Sequence, residues 1–164
     1  MISLARAHLL IAGLTALNYA LMLFYSMPKL LKEADGLWLF DIRIMGYTLE
    51  DATQYVTTIT PEGRLFYLEV QQTLDAFFPA LFALTLMVAL YRLVPKLPVL
   101  FIFPISGALF DYYENAAVIQ ILLTDAPDQG LVEMASLLTG LKFASIAISL
   151  LAILWFWRTG KADA

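Results

Sequence analysis

Residues 108 to 123 read ALFDYYENAAVIQILL and place Asp111, Glu114 and Asn115 inside a long apolar stretch. Of the 164 residues in the chain, 61% are hydrophobic, and the mean hydropathy is +0.77. A water-soluble core rarely holds two carboxylates in one such stretch, because burying an unpaired charge is costly. The composition therefore predicts an integral membrane protein. In its interior these acids need a counter-ion, a proton or a functional role.

Four segments are long and apolar enough to cross the hydrocarbon core, which takes about 20 residues. The fold that we expect is all-α, a four-transmembrane-helix bundle forming a single domain over residues 1–164. The first segment lacks a small-x-small cleavage site, so we expect it to remain as a span. The spans cover residues 7–27, 73–93, 98–123 and 131–157, and an ordered outer loop at 28–72 joins the first two.

Basic residues in the flanks of the spans indicate the orientation, since such flanks stay on the cytoplasmic side. The loop TDAPDQG between the third and fourth spans contains none. We therefore expect an integral protein of a bacterial inner membrane with both termini cytoplasmic. The basic flanking residues are Arg6, Arg92, Lys96, Arg158 and Lys161, and Trp155 and Trp157 beside them are typical of an interfacial aromatic belt.

The composition argues against several classes of protein. A net charge of −4 and a pI of about 4.8 provide no basic patch for nucleic acid. The chain has no cysteine, which excludes thiol oxidoreductases and disulfides. Its single histidine, His8, cannot build a bis-histidine haem site or a histidine-rich metal site. We expect no cofactor, no metal and no nucleic-acid partner.

The region between the first two spans carries structural signals of its own. In LWLFDIRIMGY, Asp41 and Arg43 alternate with apolar residues, which predicts a short extended segment or hairpin on the membrane. The sequence TLED at 48–51 is typical of a helix start with a capping box. It predicts a short amphipathic surface helix with an apolar face of Leu49, Ala52, Tyr55, Val56 and Ile59.

The second long helix is predicted to begin outside the bilayer. Thr60 is a suitable N-cap, and Pro61 suits the first helical turn, so the helix is expected to run over residues 61–93. The polar residues of this helix recur on one face. The part of the face outside the bilayer is expected to be solvated under the loop, and the part inside the bilayer is either solvated as well or belongs to a buried site. These residues are Arg64, Tyr67, Gln71 and Asp75.

Lys142 is the only charged residue in the middle of the fourth span. A charge at the bilayer centre costs about 2.5 to 3.5 kcal/mol, so such residues usually face the bundle interior and pair there. At 1.5 Å per residue, Asn18, Asp111, Glu114 and Lys142 lie about 13 to 18 Å below the outer ends of their spans. We predict that Lys142 is ion-paired with Asp111 or Glu114 and that one acid of the cluster holds a proton.

Such a cluster suits a ligand pocket, an acid/base site, a proton path or a structural clamp between helices. The leading hypothesis is a site for a membrane lipid or small amphiphile. The alternatives are an accessory or assembly subunit of a larger membrane complex, whose cluster is purely structural, and half of a homo-oligomeric proton-coupled transporter. Whether the site also catalyses a reaction is left open, and no residue is assigned a catalytic role. The predicted ligand-binding residues are Asn18, Gln71, Asp75, Asp111, Glu114, Asn115 and Lys142.

The layout resembles the EXPERA family, which includes emopamil-binding sterol isomerases and related sterol-binding receptors. The residues that carry the resemblance are Glu69, Asp75 and Pro79 in LEVQQTLDAFFP (68–79) and Glu114 in the third span. The resemblance implies a ligand cavity among four helices, lined by acidic residues. The isomerases of that family also use an intramembrane histidine, and this chain has no histidine in its third or fourth span.

Overall fold

The computed structural model describes residues 3–160, and its regular secondary structure is helical throughout that range. Lys161, counted above among the basic flanks, lies outside the described residues. Short 3₁₀ turns occur at Phe40–Ile42 and Pro98–Phe101. The helices are α1 (Leu4–Glu33), α2 (Leu49–Thr58), α3 (Pro61–Leu93), α4 (Ile102–Leu122) and α5 (Gln129–Thr159).

Three helices are long and apolar enough to cross a membrane. These are α1, α3 and α5, with 30, 33 and 31 residues. Helix α4 has 21 residues, but Asp111, Glu114 and Asn115 in its middle make it less apolar, and it does not belong to that group. The expected helical architecture is therefore confirmed with three candidate spans, and the crossing by α4 stays a prediction.

The long helices pack in the order of the chain. Helix α1 lies on α3, α3 on α4, and α4 on α5, and the last of these contacts is the most extensive. Gly107 brings α4 close to α5, because a Cβ atom at Gly107 would lie 3.4 Å from the Cβ of Ser145. The first and last long helices, α1 and α5, scarcely touch each other. The side of the bundle between α1 and α5 is therefore the least closed.

The predicted helix starts are confirmed by their capping bonds. The backbone N–H of Thr48 donates to Asp51 Oδ2 at 2.8 Å, and the N–H of Asp51 donates to Thr48 Oγ1 at 3.2 Å, which completes the capping box of α2. The N–H of Gly63 donates to Thr60 Oγ1 at 3.0 Å. Helix α3 then runs without a break from Pro61 to Leu93, as expected, with a π-helical turn at Tyr67–Gln71.

The predicted strand or hairpin over residues 37–47 is wrong. Its backbone hydrogen bonds are local, from Arg43 N to Phe40 O at 3.0 Å and from Gly46 N to Arg43 O at 2.8 Å. Three consecutive residues, Leu39, Phe40 and Asp41, are buried, so the side chains do not alternate between two faces. A single extended segment has no neighbouring strand to satisfy its backbone, and this one folds on itself instead.

Residues 34–60, termed the cap, cover one end of the bundle and share one apolar core with the adjoining ends of the long helices. The apolar face of α2 is buried, and it packs against aromatic rings of the 3₁₀ turn and of α3. The rings of Phe40 and Tyr55 have centroids 4.8 Å apart, and those of Tyr55 and Tyr67 are 6.2 Å apart. Burial raises the pKa of the Tyr55 and Tyr47 hydroxyls above its usual value. The cap is thus held on the bundle by buried aromatic rings.

Candidate functional site

A cavity of about 450 Å³ lies among the helices, below the cap. It sits between α1 and α5, where the bundle is least closed, and therefore opens toward the side of the bundle. Most of its wall is apolar, and its polar part is formed by four charged residues from the cap, α3, α4 and α5. The lining consists of Asp41, Asp75, Asp111 and Lys142 together with Thr15, Ala16, Tyr19, Met22, Ile42, Phe78, Phe82, Phe143 and Ile146.

Lys142 joins α5 to α4 through two ion pairs. Its Nζ lies 2.5 Å from Glu114 Oε2 and 3.3 Å from Asp111 Oδ1. The three side chains are almost entirely buried, with 6%, 0% and 9% exposed in Lys142, Glu114 and Asp111. The hydroxyl of Thr139, one turn before Lys142, donates to Glu114 Oε1 at 2.6 Å. The predicted pairing is confirmed, and Lys142 binds both acids rather than one.

Asp41 adds the cap to this cluster, and the sequence interpretation missed it. Its backbone oxygen accepts a hydrogen bond from Lys142 Nζ at 3.3 Å, and its Oδ2 accepts one from the Tyr67 hydroxyl at 3.1 Å. Its Oδ1 has no partner among residues 3–160. Burial raises the pKa of Asp41, and the charge of Lys142 opposes that rise.

The residues next to Asp41 are apolar, since Leu39 and Phe40 precede it and Ile42 follows it. They do not specify whether the acid faces water or the bundle. The alternation with Arg43 favoured a strand and placed Asp41 on a polar face. In the structure the two side chains diverge, since Arg43 donates to Trp38 O at 3.0 and 2.7 Å and lies over the ring of Tyr47.

The polar face of α3 divides into two parts. Gln71 Nε2 donates to Asp75 Oδ2 at 2.8 Å, and Asp75 lines the same cavity as Asp41. Arg64 points away from the cavity, donates to Val56 O at 2.5 Å and pairs with Asp125 at 2.7 Å. The lower part of the face therefore belongs to the cavity, and Arg64 fastens the cap.

Two predicted site residues are buried but lie outside the Lys142 network. Asn18 Nδ2 donates to the backbone oxygen of Leu74 at 3.1 Å, which ties α1 to α3. Both side-chain polar atoms of Asn115 lack a partner within residues 3–160. Of the four groups predicted to share one level, only Asp111, Glu114 and Lys142 meet. Equal depth along separate helices does not specify which way each side chain faces.

The cluster has an excess of acid. Four carboxyl groups, from Asp41, Asp75, Asp111 and Glu114, surround the single ammonium of Lys142. Three unbalanced negative charges in a low-dielectric interior would be costly, so the site favours bound protons or a ligand that donates hydrogen bonds. Within residues 3–160 no group of three or more potential ligands is arranged to hold a metal ion.

The chain was compared with protein families, curated proteins and solved structures. No protein family, curated protein or solved structure matches this chain. The resemblance to the EXPERA family accordingly rests on the residues quoted for it above.

Proposed function

We propose that this protein is a four-span membrane protein that binds a lipid or small amphiphile in the cavity between α1 and α5. The observation that carries the proposal is the composition of that cavity, an apolar wall around a polar group of acids and one lysine. Its volume of about 450 Å³ is within the range of small-molecule sites, which runs from about 300 to 1,000 Å³.

The crossing by α4 is part of this proposal. Helix α4 packs along both α3 and α5, which are themselves long and apolar enough to span. The buried face of α4 carries Asp111, Glu114 and Asn115, whereas large apolar side chains such as Ile105 and Leu109 face outward, with 43% and 50% exposed. A helix with polar residues inside and apolar residues outside suits a lipid environment.

The hydrogen bonds of Lys142 narrow the class of head group. An ammonium has three N–H donors. Hydrogen bonds to Asp111 and to the backbone oxygen of Asp41 take two of them, and the ion pair with Glu114 at 2.5 Å occupies the remaining side of the ammonium. Lys142 therefore has no donor left for an anionic head group, and Oδ1 of Asp41 is an unused acceptor. The site favours a head group that donates, either a hydroxyl or an ammonium.

Chain-matched probes test this preference. We expect dodecanol or dodecylamine to raise the melting temperature of the purified protein in detergent. The same rise should need at least about tenfold more dodecanoate. Stronger stabilisation by dodecanol than by dodecylamine would identify a hydroxyl ligand, and the reverse an ammonium ligand. Equal or stronger stabilisation by dodecanoate would contradict the assignment of the head group.

A pair of alanine variants tests the location of the site. Ala16 lines the cavity, whereas Ala147 is exposed on α5 and does not line it. In native mass spectrometry of gently extracted protein, we expect a bound amphiphile on the parent and on Ala147→Phe, and much less on Ala16→Phe. Equal occupancy of the two variants would place the ligand elsewhere, and an empty parent protein would remove the proposal.

The second candidate is an accessory or assembly subunit of a larger membrane complex. It is favoured by the contacts among Lys142, Glu114, Asp111 and Thr139, which pair with one another without a ligand. The same native mass spectra separate the two candidates. A stoichiometric protein partner without a small ligand would favour the subunit.

A further inference from the structure

The tip of the cap lies beside the part of α5 that enters the membrane in the proposed function. The backbone N–H of Tyr47 donates to Ser136 Oγ at 2.9 Å, and Lys142 Nζ donates to Asp41 O at 3.3 Å. The segment between Asp41 and Tyr47 therefore runs alongside residues 136–142 of α5, a rise of about 9 Å at 1.5 Å per residue.

Counting along α5 gives the depth of that segment. From Trp155, at the basic end, Lys142 lies about 20 Å along the helix axis and Ser136 about 28 Å. The hydrocarbon core is about 30 Å thick. If Trp155 marks one boundary, as the aromatic belt predicts, the level of Ser136 is the other boundary, and the Asp41–Tyr47 segment lies just within it.

The side chains at the tip are apolar and face outward. Met45 is 98% exposed and Ile44 is 55% exposed. They share a surface groove with Leu137 and Leu141 of α5, which are 62% and 37% exposed and belong to its outward-facing side. The apolar tip is thus continuous with the helix surface that faces lipid in a spanning arrangement.

Both charged side chains of the segment contact the protein, and most of its backbone N–H groups have acceptors there. Asp41 is buried against Lys142 and Tyr67, and the guanidinium of Arg43 bonds to Trp38 O and covers aromatic rings. Irregular backbone is tolerated at membrane depth only when its polar groups have partners. The backbone N–H groups with an acceptor are those of Arg43, Ile44, Gly46 and Tyr47.

From this geometry we propose that Ile44 and Met45 insert among the acyl chains of the leaflet at the cap end of the bundle. The inference rests on the membrane-spanning arrangement of the proposed function. In this arrangement the cap has a second role. The short segment that places Asp41 against Lys142 is also anchored in the acyl chains through Ile44 and Met45. The partner is the acyl region of the bilayer, recognised by apolar area rather than by head-group chemistry.

Single cysteines make a direct test, since the native chain has none. A nitrobenzoxadiazole label on Met45→Cys is compared, in phosphatidylcholine vesicles, with labels on Thr57→Cys, exposed on α2, and on Ile148→Cys, exposed on α5 about 10 Å from Trp155. Quenching by lipids with a doxyl group at acyl carbon 5 or 12 reports contact with the hydrocarbon. Quenching by iodide reports contact with water.

We expect the Met45 label to be quenched by doxyl lipids, more strongly at carbon 5 than at carbon 12, and to be protected from iodide. The Thr57 label should show the opposite behaviour. A Met45 label that behaves like the Thr57 label, while the Ile148 label is quenched by doxyl lipids, would overturn the insertion of the tip alone. Absence of doxyl quenching at Ile148 would overturn the spanning arrangement as well.

Discussion

The backbone oxygen of Asp41 and the ammonium of Lys142 are 3.3 Å apart, although 101 residues separate them in the chain. This contact gives Lys142 its third acceptor, after the two carboxylates of α4. A site that would otherwise lie between two helices therefore depends on the cap as well.

Removing the ammonium of Lys142 should destabilise the protein, because the buried acids then lose their counter-ion. Lys142→Met leaves Glu114 and Asp111 without their counter-ion, and breaking a buried pair on one side typically costs about 3 to 5 kcal/mol. We expect a sharply lower melting temperature in detergent. Adding Glu114→Gln should restore more of the loss than adding Asp111→Asn, because Glu114 is the closer partner, at 2.5 Å against 3.3 Å.

Lys96→Met is the matched control for this series, since Lys96 is exposed in the loop before α4 and should melt like the parent protein. If Lys142→Met also melted like the parent, the lysine would not be paired at the centre of the site.

Gly63 should not tolerate a methyl group, because a Cβ atom there would clash with Cβ of Glu33. The end of α1 and the start of α3 meet at this point, where Thr60 N donates to Glu33 O at 3.0 Å. We expect Gly63→Ala to lower the free energy of unfolding by about 1 to 3 kcal/mol, as overpacking usually does.

Gly13 supplies the control for Gly63, because no atom lies within 4 Å of a Cβ placed on it. Gly13→Ala should be neutral or stabilise α1 by up to about 1 kcal/mol through helix propensity. Equal thermal stability of the two variants would argue against the close contact of α1 and α3.

The orientation in the membrane is open to labelling in intact cells. Pro95 is exposed between α3 and α4, whereas its neighbour Val94 is buried and unsuitable for a label. With the basic flanks on the cytoplasmic side, an impermeant thiol reagent should label Thr57→Cys and leave Pro95→Cys unmodified until the cells are opened. The reverse pattern would invert the predicted topology.

The capping box of α2 should make part of the stability depend on pH. Hydrogen bonds from the backbone N–H and hydroxyl of Thr48 hold the pKa of Asp51 below its usual range. A lowered pKa means that the folded state is stabilised above the unfolded-state pKa of about 3.9, and that this stabilisation is lost as the pH falls through the folded pKa.

Thermal unfolding at several pH values measures this effect. The gap in melting temperature between the parent and Asp51→Ala should be full near pH 6 and should shrink below about pH 4. Glu50→Ala, at an exposed acid outside the capping box, is the control and should show a smaller gap. A gap for Asp51→Ala that stays constant down to pH 2 would count against the carboxylate as the source of the effect.

Local signals predicted much of the fold. The capping residues Thr48 and Thr60 fixed the starts of α2 and α3, because a cap depends only on neighbours three residues away. The pairing of Lys142 with the acids of α4 was also predictable, since a charge in an apolar helix needs a partner and these were the acids at matching depth.

The position of Asp41 was not predictable in the same way. Whether a loop residue faces water or enters a bundle depends on where the whole cap packs, which no local pattern specifies. The prediction for Asn18 was wrong for a related reason. Depth along a helix can be counted from the sequence, but the angle of a side chain around the helix axis relative to the neighbouring helices cannot. In the structure Asn18 faces the backbone of α3.

The π-helical turns at Met22–Ser26 and Tyr67–Gln71 lie next to each other in α1 and α3. Each turn accommodates one residue more than a regular helix of the same rise would. Deleting one residue from a regular stretch rotates everything beyond it by about 100° and turns buried faces outward. Deleting one inside either turn would instead restore regular helix and leave the faces on both sides in register. The two turns are therefore the places where the long helices can change length without losing their partners.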